Sequence, residues 1–517
     1  MMKILDLINR TTIINLALFA TVFWVLCPDF SIASSSYDSY QFYQYKSLCV
    51  RAATGFIVLV VLSFFVKKQQ ILSAVVFAIA LSGAMEAILS LLQLIGVVQS
   101  HHAIFQLTGT FYNPGPLGGY LAVCDVVAIA FFIKHQLYKP DAEPISKYFL
   151  GTVILLISVV LPATFSRTAW IALIVASIYI ALTCDDVRAY IRRNRRMVLV
   201  VCIIFFVLIA AVFIKKSVSA SGRFLVWKIS AIAALEEPLT GHSNFDVAYR
   251  DASEKYFSQK NWSEAEFWAA DYVDNSFNEY LFLAVRYGIP VALIFVVLLI
   301  TAFLMAHKQG RSEFAAGVIA ISIFAMASYP LHISDFVVLL FFCVTASVIP
   351  EEKKLAVPVI SAFVVIGSAF GIRHFNTEIK KIELLGKPDA YYRNEAYSIA
   401  SYLYEELYQQ LSDNKNYMYN LAYSHYKNGE YDKAKRYFIE SIGICGNPNV
   451  FKFLGKICIF QNDYVNAEKY LLRAINILPN RIEPYNLLIE LYSDDNYRND
   501  DKLNELKQFV ATHKFKR

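Results

Sequence analysis

The chain has 517 residues, 57% of them hydrophobic and 17% charged, with a formal net charge of +6. Repeated apolar runs of bilayer length exclude an ordinary soluble protein, whose core would have to hide every run, and point to an integral membrane protein. The modest basic excess gives no nucleic-acid signal, and no metal-ligand spacing, Gly-rich nucleotide loop or Ser-His-Asp order stands out.

In chain order, about eleven spans of bilayer length are expected. They lie near 11–28, 49–66, 71–98, 116–134, 147–165, 168–184, 197–214, 285–306, 312–328, 334–349 and 355–372. The first run lacks a small-residue cleavage site and reads as an anchor. Orientation follows from the basic loops. Lys3 and Arg10 precede the first span, Lys67 and Lys68 follow the second, and Lys134, Lys139 and Lys147 flank the link after the fourth. "RAYIRRNRR" at 188–196, "HKQGR" at 307–311 and "EEKK" at 351–354 continue the alternation. These loops and the N-terminus are therefore expected in the cytoplasm, and the C-terminus outside. Of the eight cysteines, six lie in or beside apolar runs as small core residues; Cys445 and Cys458 are a conceivable pair in an oxidising compartment.

The segment "TGTFYNPGPLGG" at 108–119 joins the third and fourth spans, hence faces outward. Non-helical backbone at that depth must line a protein cavity or reach water, although a plain exposed turn also fits the composition. Asn113 sits in it. Glu86 lies inside the third span, with Gln93 two turns later on the same face. An acidic residue there faces the bundle interior and finds a partner. Arg167, in "TFSRTAW", stands between two tightly joined spans and needs a cavity, a partner or the interface. The outer loop, 215–284, holds "SGRFLVWKISAIAALEEPLTGHSNF" at 221–245. Ser221 can cap a helix that puts Arg223 and Trp227 on one face and ends before Pro238. Its apolar face suits the membrane surface. The loop's Tyr249, Tyr256, Trp262, Trp268, Tyr272 and Tyr280 are either interfacial anchors or stacking platforms for sugar rings. "MASYPLHISDF" at 326–336 places His332 in another outer turn. Two arginines at an outward cavity suit a diphosphate, which guanidinium groups bind by paired, charge-assisted bonds.

From about Asn376 the apolar runs stop. "NLAYSHYKNGEYDKAKRYFIESI" at 420–442 and "FLGKICIFQNDYVNAEKYLLRAI" at 453–475 align at a period of 33 residues, matching Leu421 with Leu454, Tyr431 with Tyr464, Ala434 with Ala467 and Tyr437 with Tyr470. A third unit starts at "EPYNLLIELY", 483–492. The pattern resembles tetratricopeptide repeats, in which paired helices bury their faces on neighbouring units. The fold expected is thus all-α: a polytopic membrane bundle, 1–375, followed by an extracytoplasmic helical repeat domain, 376–517, free to take a protein partner.

Taken together and in order, "TGTFYNPGPLGGYLA", "FSRTAWIAL", "GRFLVW…PLTGHSNF", "NEYLFLAVRYGIP" and "SYPLH" resemble the family of O-antigen ligases, O-antigen polymerases and protein O-oligosaccharyltransferases. Some members carry a tetratricopeptide tail. The resemblance implies a glycosyltransferase of the C superfamily fold. It would move a glycan from an undecaprenyl-diphosphate carrier to an acceptor outside the cytoplasmic membrane: lipid A core, a protein hydroxyl or a growing glycan. No metal or other cofactor is implied. By position, Arg167 and Arg223 match the arginines that hold the diphosphate, with Glu86, Asn113, Trp227 and His332 lining the cavity. Ligases carry His, then Asn, then nine residues, then Gly. Here Asn278 and Gly288 keep that spacing, but Phe277 occupies the His position and cannot act as a base. Asp274, Glu279 or Asp271 would substitute if partly buried, and Asp274 would share a helix face with Asn278 if the helix began early enough. Otherwise the reaction needs no strong base, or the chain is a polymerase. A lipid-linked glycan transporter, with Glu86 and Asp125 as its charged residues, and a non-catalytic scaffold displaying the repeats are the competing readings.

Overall fold

The computed structural model describes residues 10–28, 37–100, 102, 104–137, 144–197, 217–349 and 356–516. Residues 198–214 of the expected seventh span lie outside them. The described residues are helical throughout, apart from turns and one isolated bridge, Arg481 with Lys516. They form two compact units, 1–216 with 294–379, and 217–293 with 380–517.

In the first unit helices overlie the remaining expected spans: Arg10–Leu26, Tyr37–Ser63, Lys68–Leu94, Pro114–Phe132, Pro144–Ala163, Arg167–Thr183, Ile289–Lys308, Ser312–Ala325, Ser334–Val348 and the start of Ala356–Arg393. Among the described residues six helices are long and apolar enough to cross a membrane, and a seventh counts if Arg167–Thr183 and Asp185–Arg193, bent by 96°, are one span. Thr12–Leu26, Ser312–Ala325 and Ser334–Val348 are apolar but shorter. The Lys68–Leu94 helix stops short of the expected Val98 because the chain turns into the left-handed region at Gly96 (φ +78°). Pro114–Phe132 is the central helix. Its residues Leu117, Tyr120, Leu121, Ala122, Val123, Cys124, Val126, Val127 and Ala128 are fully buried. Small residues make that possible: a Cβ on Gly119 would lie 2.3 Å from the Phe324 ring, and the Cβ of Cys124 would lie 2.6 Å from one on Gly83.

The basic loops assigned to one side meet one another. Lys68 Nζ donates to Ile349 O at 2.9 Å, Arg311 to Ala346 O and Ile349 O at 2.7 and 2.9 Å, and Lys134 to Gly310 O. These cations cap the carboxyl-terminal carbonyls of helices, where the macrodipole favours positive charge.

The second unit joins the long loop to the repeats in one core. The repeat pairs are Lys415–Lys427 with Tyr431–Ser441, Asn449–Phe460 with Tyr464–Ile477, and Ile482–Ser493 with Asp500–Thr512. The residues aligned at the 33-residue period do the same work in each pair: Leu421, Leu454, Ala434 and Ala467 are all fully buried. Cys445 and Cys458 are buried thiols and are not bridged. The loop's first helix has a core-facing side, while Phe224 and Leu235 on it stay exposed. This Ser217–Glu236 helix buries Leu225, Val226, Ile229, Ala233 and Ala234 in the core shared with the repeats. That helix begins at Ser217, so Ser221 lies within it rather than capping it.

The Phe245–Ser258 helix is pinned to the repeats by buried polar side chains. Arg250, 2% exposed, donates to Ile442 O and Cys445 O at 2.8 Å each. Asp246 accepts from Lys415 Nζ at 3.1 Å, Gly446 N at 3.2 Å and Tyr272 Oη at 3.2 Å. Arg473 grips Glu254 through two nitrogens, and Asn480 donates to Phe267 O and Ala270 O. Replacing Arg250 by Met strands two carbonyls that the guanidinium now serves. Charged hydrogen bonds of this kind are worth about 1.5–3 kcal/mol. Arg250→Met is therefore expected to make the 217–293 segment the first site of proteolytic cutting in the full chain. An unchanged cleavage pattern would mean that apolar packing alone fixes the loop.

Candidate functional site

In the first unit the 108–119 segment is built on two side chains of the preceding helix. Glu86, fully buried, accepts from Thr110 N at 3.0 Å and Thr110 Oγ1 at 2.6 Å. Gln93 Oε1 accepts from Thr108 N at 2.9 Å and Gly109 N at 2.8 Å, and its amide returns a bond to Gly109 O at 3.0 Å. These bonds satisfy backbone that is neither helix nor sheet in an apolar surrounding. Gly109 is required twice over: its φ is +57°, and a Cβ would come within 2.2 Å of Glu86 Oε2. Asn113 then caps the central helix, its side chain accepting from Gly115 N at 2.8 Å, with Pro114 in the first turn.

Asn113 and His332 line one small cavity of about 30 Å³, together with Thr110, Tyr329 and Asp335. Glu86 does not line it; its carboxylate lies beneath and is committed to Thr110. The turn bearing His332 is tied to the Tyr37–Ser63 helix by Tyr45 Oη, which donates to Leu331 O at 3.3 Å. Arg167 opens the Arg167–Thr183 helix directly after Thr164–Phe165–Ser166, where Phe165 has a left-handed φ of +49°. This turn rests on the central helix. Ser166 Oγ donates to Gly115 O at 3.2 Å, and a Cβ on Gly118 would lie 2.7 Å from both Ser166 Cβ and Thr164 Oγ1. The glycines of "PGPLGG" thus set the height of the turn from which Arg167 projects. Asp125 is buried in the central helix and accepts from Ser158 Oγ at 3.3 Å.

In the second unit the Arg223 guanidinium lies 5.7 Å from the centre of the Phe277 ring. Phe277 itself has a left-handed φ of +49°, uncommon for a bulky residue. The turn around it is closed by its own side chains: Asn275 Oδ1 accepts from Phe277 N at 3.0 Å, Ser276 Oγ from Asn278 N at 3.2 Å, and Asn278 Oδ1 from Leu281 N at 3.1 Å. Asn278 is therefore the cap of the Glu279–Tyr287 helix. The helix starts after it, so the condition that would align Asp274 with Asn278 is not met. Asp274 lies in the loop, exposed, accepting from Asn275 Nδ2 at 3.2 Å. Glu279 is buried in the first helical turn, and Asp271 faces Arg481 and Lys516. Trp227 is half-buried and meets Phe224 edge to face at 5.4 Å.

Half of the six loop aromatics belong to the core, while Trp268, Tyr272 and Tyr280 stay partly exposed. Tyr249 and Tyr256 are buried, and Trp262 stacks on Phe267 at 5.2 Å. Tyr272 stays partly exposed; burial of its hydroxyl and the nearby Asp246 push its pKa up, which keeps the phenol a donor. Burial opposes the Glu266 carboxylate, but bonds from Lys228, Ser263 and Tyr256 outweigh it and hold its pKa at about 2. Sequence reading missed Asp246 and Arg250, whose only signal was charge within an otherwise half-apolar helix. It also missed Arg51, buried in the Tyr37–Ser63 helix and donating to Cys27 O.

The "PLTGH" and "RYGIP" motifs interlock through backbone. His242 N donates to Val285 O and Ile289 N to Pro238 O, each at 2.8 Å. Arg286 Nη1 donates to His242 O at 2.8 Å. A Cβ on Gly241 would lie 2.5 Å from Gly288 N, and one on Gly288 would lie 2.3 Å from Leu239 O. Both glycines also have positive φ, +68° and +88°.

Residues 152–296 match the family model described as O-antigen ligase. Residues 393–474 match the model described as anaphase-promoting complex, cyclosome, subunit 3. No curated protein matches the chain. The ligase match covers Arg167, Arg223, Trp227, Asp274, Asn278 and Glu279, while Glu86, Asn113 and His332 lie outside it. The matched regions lie within the ligase-like part and the repeat tail expected from sequence, while the motifs at 108–122 and 328–332 fall outside the ligase match. Among the described residues no group of His, Cys, Asp and Glu could hold a metal ion.

Gly288→Ala must strain the backbone and collide with a carbonyl, a loss of about 2–4 kcal/mol. Gly310→Ala is the control. Its φ is +65° but nothing lies within 4 Å, so only the left-handed cost of about 1–2 kcal/mol remains. Thermal unfolding of both variants in detergent should rank them in that order. Equal losses would show that the Gly241–Gly288 approach relaxes freely.

Proposed function

We propose that the chain transfers a glycan from an undecaprenyl-diphosphate carrier to an acceptor on the outer face of the cytoplasmic membrane. The acceptor is a lipid A core, a protein hydroxyl or a growing glycan. The observation that carries this reading is that one stretch matched to O-antigen ligases holds Arg167, Arg223 and the Phe277–Asn278 turn. In this reading Arg167 and Arg223 are the diphosphate-binding residues. As the glycosyl bond breaks, charge builds on the departing diphosphate, and fixed guanidinium donors stabilise it. The Phe277 ring supports Arg223 by cation–π attraction, worth about 0.5–2 kcal/mol. Asn278 acts as a positioning residue: it fixes where the helix begins and so where the Phe277 ring stands.

The acceptor hydroxyl must lose a proton. Asp274 is the exposed carboxylate of the turn, whereas Glu279 is buried and Asp271 is engaged by two cations. An exposed carboxylate is a poor general base, so departure of the diphosphate carries most of the rate and Asp274 assists. Arg167→Ala and Arg223→Ala are each expected to cost about 2–4 kcal/mol of transition-state stabilisation, a hundredfold or more in rate. Lysine should rescue them poorly. Asp274→Asn should cost less than about tenfold, below the range of a full general base. Transfer is read from membranes supplied with the lipid-linked glycan. Normal transfer by both alanine variants would falsify the diphosphate assignment; a loss in Asp274→Asn as large as theirs would make Asp274 the base.

The alternation of basic loops and the odd number of spans expected from sequence support a repeat domain outside the cytoplasm. A cysteine introduced at the exposed position Lys507 should react with an impermeant maleimide in intact spheroplasts. Labelling only after lysis reverses the topology and removes the outer-face reading.

A further inference from the structure

The second unit contains a polar pocket of about 480 Å³ where the loop meets the repeats. Its size falls within the roughly 300–1,000 Å³ of small-molecule sites. The loop contributes Asp271 and Tyr272, the repeats Lys452, Arg481 and Glu483, and the returning chain Lys516. Both signs of charge are present, so a simple anion or cation would meet repulsion as well as attraction. A polyol meets neither difficulty, because each of its hydroxyls both donates and accepts.

The charged groups are held in different ways. Glu483 is gripped by Lys452 at 2.8 Å and Lys456 at 2.5 Å. Asp271 stands 3.5 Å from Arg481 and 3.6 Å from Lys516, beyond the about 2.7–2.9 Å of a charge-assisted hydrogen bond. Asp271 Oδ1 accepts from Tyr272 N at 3.0 Å and faces Arg481, so Oδ2, 3.6 Å from Lys516, is the oxygen placed to take a hydroxyl hydrogen while the carboxylate stays neutralised. Lys516 is fixed beside Arg481 by the parallel bridge between them and by its bond to Ala270 O at 3.2 Å. The helices Asn449–Phe460 and Ile482–Ser493 both begin at the pocket, and the first N–H groups of the former are already taken by Asn447 and Pro448. Tyr272 supplies an aromatic ring at 36% exposure, oriented by its bond to Asp246. An aromatic face is electron-rich and attracts the weakly positive C–H edge of a pyranose.

We propose that this pocket is a glycan-binding subsite that takes a pyranose unit bearing vicinal hydroxyls. Tyr272 forms its wall, Asp271 and Glu483 accept from hydroxyls, and Lys452 and Arg481 donate to ring and hydroxyl oxygens. The segment lining it runs on through Asp274 into the Phe277–Asn278 turn, so a sugar held here is anchored by the same short stretch that carries the candidate site. The identity of the ligand rests on the reading of the chain as a glycan transferase; its binding does not require transfer.

The test uses the purified full chain in detergent, titrated with maltotetraose, chitotetraose, mannotetraose, a hyaluronan tetrasaccharide and an acidic pentapeptide, with saturation-transfer NMR as the readout. At least one oligosaccharide should bind saturably, and Tyr272→Leu and Lys452→Gln should each weaken it by about tenfold. Lys452→Gln keeps the fold intact because Lys456 still holds Glu483. No saturable sugar binding, sugar binding unaffected by both variants, or binding of the peptide alone overturns the proposal. Transfer assayed separately keeps the two readings apart. Binding without transfer sinks the transferase reading only, and transfer without binding sinks the subsite only.

Discussion

Backbone that leaves the helix inside an apolar surrounding must find hydrogen-bond partners, and this protein supplies them from side chains. Glu86 and Gln93 serve Thr108, Gly109 and Thr110; Arg311 serves the end of the Ser334–Val348 helix; Arg250 serves Ile442 and Cys445; Asn480 serves Phe267 and Ala270. Each is a polar group whose burial would be costly alone and is repaid by bonds to main-chain atoms. The consequence is positional. Irregular segments, where functional groups can project without being locked into a helix face, are held as firmly as the helices around them. The turns bearing Arg167 and Phe277 are both of this kind.

The same constraint explains the density of glycine and proline in the motifs. Glycine at 109, 118, 241 and 288 lets a turn lie against a helix or another turn at distances no side chain permits, and Gly119 does the same for two helices. Gly241 and Gly288 are the extreme pair, since each approaches main-chain atoms that cannot move aside as a flexible side chain would. Motifs that look like recognition loops in the sequence are thus largely packing devices, and Asn113 and His242 stand beside their glycines.

This division decided what was legible beforehand. Bilayer-length apolar runs and the 33-residue period concern many residues at once, so the helices of the first unit and the three repeat pairs could be read directly. The long loop could not. Its aromatic and apolar residues read equally well as membrane anchors, sugar platforms or core, because composition does not say what an apolar face meets. The partner was the repeat domain, more than a hundred residues further along the chain, and only the fold brings Asp246 to Lys415 or Arg250 to Cys445. The position of Asp274 failed for a local reason. Asn278 is a strong helix cap, and a cap ends the reach of helical periodicity towards earlier residues.

The substitution at position 277 follows from its surroundings rather than standing against them. The residue is held in the left-handed region by a turn of three side-chain bonds, and its ring faces the Arg223 guanidinium. A fixed cation at that distance disfavours protonation of an imidazole, so a histidine here would stay neutral and serve as a proton acceptor. Phenylalanine keeps the geometric half of that arrangement, a ring that steadies the guanidinium, and gives up the proton-accepting half. In the proposed reading, what remains would suit stabilising charge on a departing group better than activating an attacking one. Under the proposed reading, the demand on the acceptor's base would fall as bond breaking runs ahead of bond making, which would let a diphosphate-linked donor react without an imidazole at this position.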